Sequence, residues 1–541
     1  MHRYLAMDIP QTFSCFLFFT LLPSISAQFP RVCAKNATTP DGICCPTRPG
    51  DTLPCGGPLR GLCRPIDFNN EVDLVPPENK MDDRFNWPTR FFKQACDCRG
   101  NYDGYMCQHC DYGFTGSNCT KKLRRIRKDY RKLTKEEKDE LLRGILLLSE
   151  TESDYAVLDT TASVDPAVNP TFVNVSVYNY LAYFHYYVAR RTLMQPIEKC
   201  QTAAYVPDFA HGGPGFGSWH RAYLLLWEME IARALKNPTF SFPYWNWTES
   251  GRNCDVCTND FMGHTPDNNN GSLDSLSVFS EFSVYCVPSL GGCAGCDVST
   301  PSGKIIRRPG NNPEYRSLPP LKDVEFLKSV KNYDTLPYDT RSGNNSFRNL
   351  LEGFANRDGP TTGRMYTHNQ VHAFMNGTFS ELVTAAFDPV FQLHHAFIDK
   401  TLEIWIRENQ PAFSELPVFE APPGHGRMAN MVPFFPVEKN FMMFAHSHAL
   451  GYDYDDLVEA DIPKTSLSPV WIIVIVEAGL LLLLLAIIIE LARTRKLRPQ
   501  ARQVSSTSVH NNVTADTADE EQPIFQPGNP TYRTYNAAEN S

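Results

Sequence analysis

Six of the fourteen histidines in this 541-residue chain fall into two groups whose spacing suits a metal. His368 and His372 stand four apart in a segment of helical periodicity, so both imidazoles project from one face a turn apart, the usual grip of two histidines on one ion. His395 lies on a second helical stretch, with Asp399 one turn further on. The other group comprises His185, His211 and His220. His185 is embedded in an aromatic run from Tyr178 to Val188, where a charged imidazole is costly to desolvate and a neutral one needs a partner that a metal would provide. His211 sits on a Gly/Pro-rich loop nine residues before His220, which opens a helix, so the loop can fold back beside it. Imidazoles without nearby carboxylate ligands suit copper or zinc rather than magnesium, calcium or a non-haem iron triad. Each histidine alone reads as a satisfied core or surface residue; the pattern of six carries the metal reading.

Positioning six imidazoles requires helices, and apolar periodicity predicts them over Asn179 to Leu193, Trp219 to Leu235, Thr367 to Met375 and Pro389 to Ile406. The expected fold is mainly α, a four-helix bundle around the metal site with long loops between. A further helix opens at Thr134-Lys-Glu-Glu137, a capping-box pattern, with Leu141, Leu142, Ile145 and Leu148 on one face. Ahead of this region, ten cysteines between Cys33 and Cys119 mark a small disulfide-rich subdomain at 28–120, EGF-like in its second half. Cys107-x-x-Cys110 could form half a zinc site, but in so glycine-rich a setting it reads as disulfide.

The ends of the chain place these parts. Residues 1–27 have the layout of a cleavable signal peptide, and 470–492 form an apolar stretch long enough to cross a bilayer, with basic residues after it. A single-pass type I protein is expected: a luminal 121–455 region, a 456–469 linker, and a disordered cytosolic tail at 493–541. Cysteine usage agrees, since the 16 that follow the signal segment all precede the span. Sequons at Asn36, Asn118, Asn174, Asn246, Asn270, Asn344 and Asn376 fit a glycosylated luminal part. In the tail, Asn529-Pro-Thr-Tyr532 has the form of a signal for cytosolic sorting adaptors. A net charge of -9, evenly mixed, argues against a nucleic-acid partner.

The segments around the histidines resemble those of the tyrosinase family of type 3 dicopper oxidases. His211-Gly-Gly-Pro-Gly-Phe-Gly-Ser-Trp-His220-Arg-Ala-Tyr-Leu-Leu-Leu-Trp-Glu is similar to the family's first copper signature, and Asp388-Pro-Val-Phe-Gln-Leu-His-His395-Ala-Phe-Ile-Asp399 to its second. Phe242 to Trp247, Asn349 to Phe354, Met431 to Pro436 and Gly451 to Tyr454 extend the likeness. The resemblance implies two copper ions, one held by His185, His211 and His220, the other by His368, His372 and His395, with O2 as co-substrate. It implies oxidation of small phenols and catechols, such as tyrosine and DOPA, to o-quinones in melanin formation, within a melanosome-like organelle, while the topology alone equally permits the cell surface.

The same resemblance implies that Glu352 and Asn369 orient a water near the second copper, positioned to help deprotonate an incoming phenol. It makes Asp399 an acceptor for an imidazole N–H, His394 a packing neighbour of the ligand His395, and Phe391 an aromatic wall. Phe354, Ser380 and Leu382 fall near the substrate entrance. Two rivals remain: a zinc-bearing relative acting on a melanin intermediate such as dopachrome, and a non-catalytic oxygen-binding or adhesion glycoprotein. The zinc-associated relatives carry Leu where His394 stands and Tyr-His after Trp-His-Arg, where this chain has Ala222-Tyr223.

Overall fold

A computed structural model describes residues 28–34, 41–67, 82–161, 167–168, 170–203, 206–267, 270–360 and 363–458. The expected signal segment, Asn36, the expected membrane span and the expected sorting motif lie outside them. Among the described residues no helix is long and apolar enough to cross a membrane.

The cysteine-rich stretch is built from β1 (Phe29–Pro30), β2 (Ile43–Cys44), β3 (Gly61–Pro65) and β4 (Gln94–Cys98). β3 pairs antiparallel with β4, placing Cys63 opposite Cys96, and β2 runs parallel to β4 on its other side. Disulfides Cys33–Cys44, Cys45–Cys63, Cys55–Cys96, Cys98–Cys107 and Cys110–Cys119 stitch strands too short to hold together by themselves. Cys107 and Cys110 thus belong to two different bridges and hold no zinc.

The chain continues through β5 (Arg125–Arg127), α1 (Lys135–Glu150), β6 (Glu152–Leu158), β7 (Phe172–Ser176), α2 (Val177–Ala189), α3 (Phe216–Leu235), α4 (Phe347–Glu352), α5 (Thr367–Met375), α6 (Val390–Asn409) and β8 (Tyr452–Tyr454). Side chains set several of the starts. Thr134 and Glu137 form the reciprocal capping box of α1, and the hydroxyls of Ser176 and Ser346 accept the N–H of Asn179 and Asn349 at the heads of α2 and α4. α2 stops at Ala189, four residues short of the expected Leu193, because Arg190 turns extended and its guanidinium binds the buried Asp83 carboxylate.

The helical core is present, yet short strands contribute more than the periodicity announced. β6 lies between β1 and β7 in an antiparallel sheet, with Ala156 opposite both Phe29 and Asn174, and β8 runs parallel to β5. Runs of two to seven residues are too brief for a periodic signal to separate them from loop. The cysteine-rich stretch shares one hydrophobic core with the helices: Phe29, Phe85 and Trp87 cluster with residues of α2 and α3. The Trp87 indole donates to the Phe434 carbonyl at 2.8 Å, and Arg84 to the Val188 carbonyl at 2.8 Å. The stretch therefore clamps the end of α2, the helix that carries His185.

Helices α3 and α6 are buried along nearly their whole length, and charged residues join them. Arg127 of β5 donates to both carboxylate oxygens of Glu228, at 2.8 and 2.9 Å, and to Asp399 at 2.8 Å. Arg221 reaches Asp399 at 2.6 Å and Glu403 at 3.2 Å, while the hydroxyls of Tyr452 and Tyr454 each donate to Asp399 at 2.6 Å. This corrects the expectation for Asp399, whose carboxylate serves two guanidinium groups and two phenols and not an imidazole. Five buried ionic groups saturate one another here, which is what makes charge tolerable in this core.

Of the sequons described, Asn118, Asn174 and Asn270 are exposed. Asn246, Asn344 and Asn376 are half-buried, with the amide nitrogens of Asn246 and Asn344 already donating to Glu249 at 2.6 Å and to the Arg357 carbonyl at 2.9 Å.

Candidate metal centre

The six histidines arrive from four helices and one loop: His185 from α2, His211 from the loop before α3, His220 from the second turn of α3, His368 and His372 from α5, and His395 from α6. They gather as two adjoining clusters. In the first, the Nε2 atoms of His185 and His211 lie 3.3 Å apart, and His220 completes the group. In the second, Nε2 of His368 lies 3.1 Å from that of His372 and 3.3 Å from that of His395. The clusters touch where the rings of His220 and His395 stack at 4.4 Å.

Hydrogen bonds on the far side of the rings decide which nitrogen faces inward. Nδ1 of His220 donates to the Phe216 carbonyl at 2.9 Å, Nδ1 of His372 to the Phe379 carbonyl at 2.7 Å, and Nδ1 of His368 meets Asn369 Oδ1 at 2.9 Å. Nδ1 of His211 lies 3.1 Å from both oxygens of Asp208. In its neutral form each of these rings therefore presents a bare Nε2 lone pair. Burial drives the pKa of His185, His220, His368 and His395 well below the ordinary value and that of His372 down to about 4, so these rings are neutral. For His211 burial also acts downward, but the Asp208 carboxylate outweighs it and the pKa is raised.

Two neutral imidazoles whose lone pairs face each other at 3.1 Å, as in His368 and His372, have no proton between them and repel. A cation between them removes the conflict. The Nε2 of His220 is likewise buried with no hydrogen-bond partner. Three nitrogen donors per cluster, with carboxylate only behind the rings, form a donor set fitted to copper or zinc.

His394 also lies within the second cluster. Its Nδ1 accepts from the Trp247 indole at 3.1 Å, so in the neutral ring the proton sits on Nε2, and that nitrogen has no lone pair for a metal. His395 has no such partner. Phe391 stacks on the His395 ring at 3.9 Å and meets His185 edge-on at 4.9 Å, so it covers both clusters from one side.

Glu352 ends α4, where Gly353 turns left-handed at φ 104°; a Cβ there would lie 1.9 Å from the Tyr366 carbonyl oxygen. The Glu352 carboxylate accepts the Gly212 N–H at 2.6 Å and pairs with Arg348 at 3.3 Å. Burial raises its pKa to about 7, although Arg348 and His211 act the other way. Glu352 thus stands next to the His211 loop, whereas Asn369 is bonded to His368 in the second cluster. Ser380 donates to the Gly377 carbonyl at 2.9 Å, Leu382 is exposed, and Phe354 is half-buried.

Two residues that sequence reasoning passed over shape the His211 loop. Asp208 binds the backbone N–H groups of Ala210 and His211 as well as the His211 ring, and its position three residues upstream was the available signal. His425 comes from more than 200 positions away: its Nδ1 accepts the Gly215 N–H at 3.2 Å and its Nε2 donates to the Asp208 carbonyl at 2.9 Å. No local pattern marks it. Asp208→Asn is expected to weaken metal retention by the first cluster by roughly 10–100-fold, because the charge behind the His211 ring is lost; chelator competition measures this, and an unchanged affinity refutes the role.

Residues 175–408 match the family profile described as the common central domain of tyrosinase. The tyrosinase of Gallus gallus is 39% identical over 459 residues, covering 83% of this chain and 85% of the relative. That of Pelophylax lessonae is 37% identical over 500 residues, covering 88% and 92%. The 5,6-dihydroxyindole-2-carboxylic acid oxidase of Homo sapiens is 35% identical over 516 residues, covering 90% and 93%. Among solved structures, a functional unit from octopus hemocyanin aligns with a TM-score of 0.34 and 17% identity, over 61% of this chain and 68% of its own.

Proposed function

Because this chain belongs to the tyrosinase family, we propose that it is a copper-dependent phenol oxidase that converts a monophenol to a catechol and on to an o-quinone, in the manner of tyrosine oxidation in melanin formation. His185, His211 and His220 hold one copper, and His368, His372 and His395 the other. When bound, the copper pair supplies the redox chemistry, carrying electrons from the phenol to O2. The observation behind this reading is the convergence of six largely buried imidazoles on two adjoining points.

The protein's own groups prepare the substrate and the ligands. Phe391 closes one side of the site and keeps it apolar. Asn369 fixes the tautomer of His368. Glu352 acts as the base that takes the phenolic proton, and its buried carboxylate, near half-ionised at neutral pH, suits that task. Signal-like residues 1–27, the apolar span at 470–492 and eight disulfides support a membrane-anchored protein on the luminal side of a melanosome-like organelle.

Copper-loaded protein is expected to take up oxygen with L-tyrosine and with L-DOPA, while the zinc-loaded form does neither. Two zinc ions in the natively isolated protein and no uptake after copper loading would overturn the assignment. Uptake with 5,6-dihydroxyindole-2-carboxylic acid but not with tyrosine would favour the chemistry named for the human relative. Glu352→Gln is expected to lower monophenol oxidation by about 10²–10⁴-fold, with diphenol oxidation much less affected; equal losses in the two assays would remove the base role.

A further inference from the structure

We propose that a loop face bearing Phe413, Val418, Phe419, Met428 and Met442 rests on the surface of the bilayer that anchors the chain, and so sets the orientation of the catalytic region on the membrane. This rests on the reading of 470–492 as a membrane span. All five side chains are exposed, Phe419 at 79% and Phe413 at 53%. The segments that carry them are stitched together: the Phe413 ring lies 6.1 Å from that of Phe441, the Arg427 N–H donates to the Pro417 carbonyl at 2.7 Å, and the Phe441 N–H to the Arg427 carbonyl at 3.2 Å. Singly exposed apolar residues are ordinary, but a gathered set marks a contact surface.

The position of the chain's exit identifies what covers it. Arg407, in the last turn of α6 and six residues before Phe413, donates to the Leu457 carbonyl and to Asp453, and Gln410 meets His446 at 3.2 Å. The last described residue, Val458, is therefore held at the end of α6 from which the apolar loop departs. Twelve residue steps separate Val458 from Val470, a tether of at most about 40 Å even fully extended. A tether this short leaves the exit end of the domain within reach of the lipid.

The charges around the loop choose between a membrane and a second copy. Glu408, Glu415 and Glu420 are exposed there, against the half-buried Arg427 and Lys439. A two-fold contact with another copy would set these carboxylates against each other. Phenylalanine and methionine side chains reaching a zwitterionic headgroup layer need no basic cluster, and the flanking acids remain in water.

The test uses full-length protein in nanodiscs of phosphatidylcholine with brominated acyl chains, which quench tryptophan on contact. Phe419→Trp adds a reporter to the loop, and Leu59→Trp, at the 90% exposed Leu59 of the cysteine-rich stretch, adds a control. Parent emission, which includes Trp471 at the edge of the span, is subtracted from both. Emission of the Phe419→Trp reporter is expected to be quenched several-fold more strongly than that of the control. Equal quenching with the protein retained in the disc overturns the docking and leaves the span intact. An unquenched, blue-shifted reporter with a doubled protein count per disc assigns the face to a second copy, and also overturns it. Failure to enter the disc removes the span reading and this proposal with it.

Discussion

His395→Ala is expected to leave one metal ion per chain in place of two and to lower catechol oxidation by about a thousandfold or more, the scale seen when one member of a set that acts as a unit is removed. His394→Leu is expected to keep both ions and lose no more than about tenfold. The neighbours differ because of a hydrogen bond behind one ring. Trp247 donates to Nδ1 of His394, which puts that ring's proton on Nε2, while Nε2 of His395 faces that of His368 at 3.3 Å. In His394→Leu the Trp247 N–H loses its acceptor inside the core, which costs about 1–3 kcal/mol of stability, so a modest fall in Tm accompanies retained copper. Metal analysis on the two variants decides the matter. If His394→Leu loses a copper and His395→Ala does not, the ligand assignment is reversed.

Asp399→Asn is expected to destabilise the protein by roughly 3–5 kcal/mol, the usual consequence of removing one partner from a buried charge network. The substitution leaves Arg127 and Arg221 with one carboxylate partner each and weakens the acceptor for Tyr452 and Tyr454. Its effect should also reach the metals, because Arg221 follows His220 directly and Asp399 lies one turn beyond His395. The Arg221–Asp399 pair is thus a tie between the two helices that carry His220 and His395. A Tm lower by several degrees together with reduced copper content is the expected result. An unchanged Tm would mean that the four hydrogen bonds converging on this carboxylate carry no net stability.

The two variants also show how far the chain could be read before its structure was known. The helices at 177–189, 216–235, 367–375 and 390–409 were legible within a few residues, and so was the pairing of the cysteines as a class. Asp399 was legible as a position and not as a role: one turn after a histidine, a carboxylate suggests an imidazole partner, and only the approach of β5 and β8 supplies the guanidinium and phenol groups that claim it. The Cys200–Cys293 disulfide is likewise a matter of tertiary structure, since its two cysteines stand 93 positions apart.

The sequence by itself determined what depends on neighbours within a turn: the capping box at Thr134, the four-residue spacing of His368 and His372, and the aromatic helix around His185. The tertiary structure alone decided what depends on partners far along the chain. These are the Phe379 carbonyl behind His372, Trp247 behind His394, His425 beneath the His211 loop, and the charge network that binds α3 to α6. The division has one physical origin. Helical periodicity and capping are fixed by bonds spanning three or four residues, so their signal is written locally, whereas the state of a buried polar group is set by whichever distant donor or acceptor the packed core brings against it.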